Sequence, residues 1–314
     1  MSPRVVVAMP LFEPGPALGD ALEGLLSQTY EDYAVVLVDD GADERARRVG
    51  ERHPRVTYRR NHQRLGLAGN WAAAFATAHE LHPDAELFAW AGHHDRHEPD
   101  WLASLVDCLD AQPRAVLAYP LDARLRADGS PSPHAAAPLA TTGAEDPVAR
   151  LRATAQGMTA GSMVYGLTRA AALRRAGVFD RVTRPDRLVL AKLAVLGEFA
   201  QVPRVVWHRR ITGRPTARRQ RAATFPARVP PSAYLPWPLV HGAVLARWLA
   251  GDGALPHRRV PAAVVAYAAP LLGRDVSQFA LERLFALEGR LPAGSTDPLR
   301  RMLNRGPRAE PLHD

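Results

Sequence analysis

Three short apolar runs constrain the fold of this chain more than any other feature: Arg4–Ala8 (RVVVA), Ala34–Val38 (AVVLV) and Leu87–Ala91 (LFAWA). None of them alternates with polar residues, so each reads as a strand buried on both faces rather than one wetted on one side. The segments between them carry helical spacing. Ala17–Ser27 places Leu18, Leu22, Leu25 and Leu26 three and four apart, and further helices are expected over Asp43–Arg52, Leu67–His79 and Pro99–Ala111, with a short strand at Val56–Arg59. Strands that alternate with helices predict an α/β fold, a doubly wound and mainly parallel sheet with helices on both faces.

Such a sheet binds ligands outside the carboxyl ends of its strands. Three polar clusters fall there: PLFEPG after the first strand, VDDG after the second and GHHDRHEP after the fourth. A carboxylate in such a place, Asp39 or Asp40, serves equally as a helix cap or as an acceptor for a base N–H or a ribose hydroxyl. No GxxxxGK[ST] or GxGxxG follows the first strand, so the phosphate cradles of ATP and dinucleotide enzymes are unsupported. A diphosphate held here needs a divalent metal or arginines beside it.

Composition narrows the classes. At 314 residues and 47% hydrophobic the chain can bury a large core. Its single cysteine, Cys108, excludes an internal disulfide framework. No signal peptide is apparent, and Pro261–Gly273 is too short and proline-bearing to span a bilayer, so a cytoplasmic protein, peripheral to the membrane at most, is expected. The net charge of +8 comes almost wholly from arginine, Lys192 being the one lysine. Arginines crowd between Arg204 and Arg228, but no helix-turn-helix, zinc finger or aromatic–basic signature accompanies them, and no nucleic acid is expected.

The order PLFEPG, LLSQTYEDYAVVLVDDG, NHQRLGLAGNWAAAF and GHHDRHEPDWL resembles the family-2 glycosyltransferases of GT-A fold. The likeness continues through GMTAGSMVYGLTRAAALRRAGVFD and RPDRLVLAKLAVLGEFAQVPRVVWHRR, and covers about residues 4–225. It implies a GT-A-like domain over 1–225, with a nucleotide-binding half to about 120 and an acceptor half after it, then a helical extension over 226–305 and a disordered tail over 306–314. It also implies a transferase that moves a sugar from a nucleotide-diphosphate donor to a hydroxyl with inversion. UDP is the first guess for the donor, dTDP and GDP following, and the acceptor is a glycan, a lipid-linked molecule or a small molecule. By position Pro10, Phe12 and Glu13 would line the nucleotide base, Asp39 or Asp40 would bond its edge, and Arg64 and Asn70 would lie on the same side. Gly161, Ser162 and Met163 would floor the acceptor site. Asp186 falls where the family's "ED" motif puts the general base, with Pro185 in place of the glutamate; as the opening of a helix it serves equally as an N-cap.

The family's Asp-x-Asp metal motif falls on Gly92, His93 and His94, so both customary aspartates are missing and Asp95 stands one residue later. One reading keeps Mn²⁺ or Mg²⁺ on His94 and Asp95. The other is metal-free, with His93 and His94 bonding the diphosphate and arginines around Arg209 and Arg210 neutralising it. His97 and Glu98 read as surface residues. Tyr119–Pro147 reads as a loop over the sheet edge, and the basic stretch after Arg209 as a lid. From Tyr234 onward, three short helices are expected, with apolar stripes at Leu239–Trp248, Val264–Tyr267 and Phe279–Phe285. They would pack on the catalytic domain, or touch a membrane surface or a second copy through Trp237 and Trp248. Two further readings remain: a degenerate protein that binds nucleotide or glycan without turnover, and a sugar nucleotidyltransferase, whose Gly-rich basic first loop PLFEPG lacks.

Overall fold

A computed structural model describes residues 2–41, 44–132, 139–158, 161–211 and 217–288. The first half runs β1 (Val5–Leu11), α1 (Leu18–Leu26), β2 (Tyr33–Asp39), α2 (Glu44–Arg52), β3 (Val56–Arg60), α3 (Gly66–Leu81), β4 (Leu87–Trp90), β5 (Arg96–His97) and α4 (Trp101–Asp110). The second half adds β6 (Ala115–Leu125), β7 (Pro131–Ser132), α5 (Pro147–Gly157), β8 (Leu167–Arg169), α6 (Ala170–Ala176), α7 (Pro185–Leu196) and β9 (Glu198–Arg210). Three helices follow, α8 (Ala217–Thr224), α9 (Trp237–Asp252) and α10 (Val260–Glu288).

The strands form one sheet in the order β3-β2-β1-β4-β8-β6-β9-β5, with β7 paired to β6. β1, β2, β3 and β4 are parallel, β8 runs antiparallel between β4 and β6, and β6 and β9 are parallel again. Alternate residues of β1 enter different cores, as the period of two requires. Val5, Val7, Met9 and Leu11 pack with α1 and α4, while Val6 and Ala8 pack with α3, α5 and α7. The expected layering of helices on both faces is therefore present.

Pro10 sits in this central strand without breaking it. Ala8 O accepts from Ala91 N on the β4 side, and two residues later the proline faces the same side beyond the end of β4, where a missing N–H costs no ladder bond. Both neighbours of β1 follow it in the chain. The sheet grows from β1 to one side through β2 and β3 and then returns to its other side with β4, so the ends of β1 and β4 flank the sheet's switch point.

Several boundaries differ from the sequence reading. Residues 119–125 are not loop: β6 runs to Leu125 and turns back through β7 as a hairpin. Pro99 precedes α4 rather than opening it, the helix starting at Trp101. The three expected C-terminal helices are two long ones, because α10 runs from Val260 through Pro270 and takes in both later stripes. Residues 289–314, with the expected tail, lie outside the described residues. Trp237, Leu245, Leu249, Ala263 and Tyr267 of α9 and α10 share one buried core with Leu151 of α5 and Leu188 of α7. Trp237 is buried, and the Trp248 indole donates to Arg175 O, so neither is an exposed anchor; the large exposed apolar side chains among the described residues here are Tyr234, Leu235, Leu239 and Val265. No helix among the described residues is long and apolar enough to cross a membrane.

Candidate functional site

A cleft of about 490 Å³ opens at the switch point. Glu13, Pro14, Gly15, Pro16 and Ala17 form one wall, His93 and His94 the other, with Asp20, Ala127 of the hairpin and Arg210 at the end of β9 closing it. The loop after β1 enters through Glu13 in a left-handed conformation (φ 47°), which a non-glycine residue adopts only when its surroundings fix it. Next to it the Arg64 guanidinium stacks 4.1 Å from the centre of the Phe12 ring. Of the residues expected around a nucleotide base, this pair presents flat faces at the surface.

The acidic pair after β2 is turned inward. Asp39 is fully buried and accepts from Gly41 N and from the Tyr58 hydroxyl, both at 2.8 Å. Burial, then that bond, pushes the Tyr58 phenol up to about 12. Asp40 accepts from Asn61 Nδ2 (2.9 Å), Leu65 N (2.7 Å) and Gly66 N (2.8 Å), so it caps α3, a helix that begins 26 residues later, rather than the helix that follows it. Asn70 is buried as well and ties Asn61 to Leu11 O. These three side chains build the floor on which Phe12 and Arg64 stand. Gly66 is required there: its φ is +73°, and a Cβ would meet Pro226 Cδ at 2.4 Å.

The GHHD loop is organised by Asp95, whose side chain is 2% exposed. Its Oδ2 accepts from the Trp207 indole at 3.1 Å and its Oδ1 from the Arg210 main-chain N–H at 3.1 Å. Burial lifts the carboxyl to about 6 against the pull of these donors and of Arg209. Gly92 makes room for this fold-back, since a Cβ there would stand 2.5 Å from Asp95 Oδ2. His94 Nε2 lies 3.6 Å from Asp95 Oδ1, and burial with Arg209 and Arg210 nearby holds this imidazole neutral. His93 faces Pro10 O at 3.4 Å and is lowered to about 4 by burial and by His94. The Arg210 guanidinium bonds His94 O and Ala127 O, both at 3.2 Å, and reaches Asp20 at 3.5 Å.

This donor set does not suit a divalent cation. The carboxylate beside the two imidazoles, Asp95, is enclosed and already bonded by two N–H groups, Asp20 across the cleft faces the Arg210 guanidinium, and imidazole is a poor substitute for oxygen on Mn²⁺ or Mg²⁺. Among the described residues no three His, Cys, Asp or Glu side chains gather around a point where an ion would sit.

His97 is a correction. It pairs with Trp207 across β5 and β9, and its ring packs 4.4 Å from Trp101 at 2% exposure. Neither ring nitrogen has a partner, and burial lowers the group to about 3. Glu98 remains partly exposed and bonds His208 at 2.7 Å.

On the acceptor side, Gly161, Ser162 and Met163 lie in the 3₁₀ turn Gly161–Tyr165, with the Met163 side chain in the core. Asp186 occupies the first turn of α7 behind Pro185; the N-cap position is Arg184, held left-handed at φ 55°. Burial raises the Asp186 carboxyl above its ordinary range, opposed by Arg187, by the N–H groups of Arg187 and Asp186 and by Arg184. Tyr165 packs between Trp71 and Trp207, and Trp207 in turn donates to Asp95 of the GHHD loop; the charges of Asp95, Arg209 and Asp186 all bear on the Tyr165 phenol. Sequence reasoning missed Tyr165 and Trp207, and no local signal marked either.

Fold and cleft together define an α/β nucleotide-sugar transferase scaffold of GT-A type. The family model for glycosyl transferase family 2 matches residues 6–180, and the chain belongs to that family: it is a glycosyltransferase that uses a nucleotide-sugar. It resembles the crystal structure of S. aureus TarS 1-349 at 12% identity and a TM-score of 0.59, over 96% of this chain and 78% of that one. The complexes of TarS 1-349 with UDP-GlcNAc and with UDP each align at 13% identity and a TM-score of 0.59, over 96% and 95% of this chain and 79% and 78% of those. At these identities the likeness is one of fold. No curated protein sequence matches the chain.

Proposed function

We propose that the chain transfers a sugar from a uridine-diphosphate donor to a hydroxyl with inversion, by one displacement in which Asp186 removes the acceptor proton. The observation that carries this is the placing of a carboxylate with a raised proton affinity at the first turn of α7, in the position the family's base motif takes in the sequence. Uridine is supported by TarS, whose crystals hold UDP-GlcNAc and UDP in the same fold. In this reading the base lies against Phe12 and Arg64, and the diphosphate enters the cleft between the Glu13 loop and His94. Arg210 and Arg209 offset the charge that develops on the leaving group, and the neutral imidazole of His94 donates a hydrogen bond to it, while the Nδ1–H of His93 is turned to Pro10 O and its ring lines the cleft. The hydroxyl acceptor approaches over Gly161–Met163.

Calorimetric titration with UDP, dTDP and GDP, each with Mn²⁺ and again with EDTA, tests the donor half. Equal binding of UDP under both conditions is expected; binding that needs Mn²⁺ would return the phosphate to a metal. Asp186→Asn is expected to keep UDP binding and to lose transfer, and undiminished transfer would remove Asp186 from the reaction. The second reading, a protein that binds donor without turnover, is favoured by one observation, the enclosure of Asp95. In that case wild type binds UDP and releases none from UDP-GlcNAc.

A further inference from the structure

The two C-terminal helices reach the back of the base site. His241 of α9 and Tyr267 of α10 are both fully buried. The His241 Nε2 lies 2.8 Å from Thr183 O, and its Nδ1 lies 2.8 Å from the Tyr267 hydroxyl. A carbonyl has no proton to give, so Nε2–H is the donor to Thr183, and Nδ1 accepts the proton of Tyr267. The tautomer is thereby fixed. Burial, reinforced by Arg187 and Arg184, lowers this imidazole to about 4, so it stays neutral at ordinary pH and the pair acts as a brace rather than a switch. Trp237, at the start of α9, has the guanidiniums of Arg184 and Arg187 over its ring at 4.9 and 5.1 Å, and His241 packs edge-on to the same ring at 4.9 Å.

We propose that His241 and Tyr267 are positioning residues for Asp186: from the helical extension they fix the carbonyl of Thr183, and with it the left-handed turn at Arg184 that presents the carboxylate. This rests on the reading of Asp186 as the base. A non-glycine residue at φ 55° is strained and persists only where its neighbours hold it. The bond from His241 lands one residue before that turn, and Trp237 packs under the turn residue Arg184 and under Arg187 three residues after it. Two apolar residues of the same volume would fill this space with little loss of stability. The buried polar pair leads instead to the backbone that carries Asp186, which is where a base must be held to within a fraction of an ångström.

The test uses the full chain with His241→Leu, Tyr267→Phe, His241→Gln and Asp186→Asn. Hydrogen exchange followed by mass spectrometry reads the amides of residues 183–190. UDP release from UDP-GlcNAc, with water as acceptor, reads kcat and KM. His241→Leu and Tyr267→Phe are expected to speed exchange in that segment about ten-fold or more and to lower kcat about ten- to a hundred-fold, with UDP affinity and KM unchanged. His241→Gln, which keeps an N–H for Thr183, is expected to restore most of both. Tyr267→Phe removes a single oxygen and keeps the packing, so it decides the matter if His241→Leu does not fold. Unchanged exchange over residues 183–190 in a folded variant, or a loss in KM and UDP affinity in place of kcat, overturns the proposal. Full turnover by Asp186→Asn would instead sink the base assignment, and the exchange result would still show whether the pair holds the turn.

Discussion

Arg210 grips Asp95 through its main chain: the Arg210 N–H lies 3.1 Å from Asp95 Oδ1, while the guanidinium points past it to the His94 carbonyl. The carboxylate therefore joins the end of β9 to the loop after β4, and the charge of the arginine is left for the cleft. A residue that sequence places near a metal is here the fastener between two strand ends.

Removing that fastener has a stability cost. Asp95→Ala leaves the buried Trp207 and Arg210 N–H groups without an acceptor, and about 2–3 kcal/mol is expected to be lost in urea unfolding. Asp95→Asn keeps an acceptor oxygen and should lose less. Equal stability of the alanine variant and wild type would show that the clasp contributes nothing.

The charge of Arg210 is expected to act on the donor. Arg210→Gln keeps the main-chain bond to Asp95 and removes the cation, so UDP affinity should fall about ten-fold at low salt. The gap should narrow as salt is raised toward 0.5 M, since the lost term is partly screened. Calorimetry at two ionic strengths checks both statements.

Asp186, as the proposed base, is expected to set the acid limb of the rate profile. A base works deprotonated, and burial raises this carboxyl above the ordinary range near 4, so kcat/KM for UDP-GlcNAc should fall as pH drops through a midpoint above that value. A midpoint at or below pH 4 would place the working base elsewhere.

His97 should make the fold acid-sensitive. Its folded value of about 3 lies below the ordinary 6.5, so the unfolded chain binds the extra proton between these values. The neutral form's advantage is complete above 6.5 and is lost as pH falls toward 3, at about 1.4 kcal/mol per pH unit at most. His97→Phe keeps a ring against Trp101 and should flatten the dependence of the melting temperature between pH 7 and 5.

The sheet was legible because strands buried on both faces leave uninterrupted apolar runs, and β1, β2 and β4 follow RVVVA, AVVLV and LFAWA to within a few residues. The C-terminal helices were read too short because Pro270 looks like a stop, whereas α10 passes through it. The clusters at the strand ends were visible as composition, but the direction of each carboxylate was not. Asp39 and Asp40 stand side by side, and only the positions of Tyr58, Leu65 and Gly66 decide that both turn inward. Trp207 meets Asp95 across 112 residues of chain, and His241 meets Thr183 across 58, distances over which no local pattern operates. His97 was misread because β5 is two residues long, too short for an alternation that would show which of Arg96 and His97 faces in.

The common core of α5, α7, α9 and α10 also bears on how the chain is made. During synthesis the parallel strands β1 to β4 leave the ribosome early, with most of the strands they pair with already outside. The apolar faces of α5 and α7 find their cover only after Tyr267 and Leu271 have emerged, more than 70 residues after the end of α7. Until then the nascent chain carries an exposed apolar surface of the kind chaperones hold. Protease resistance of α5 and α7 should thus come late in translation, and a chain stalled just after β9 should be cleared rather than function as a smaller enzyme.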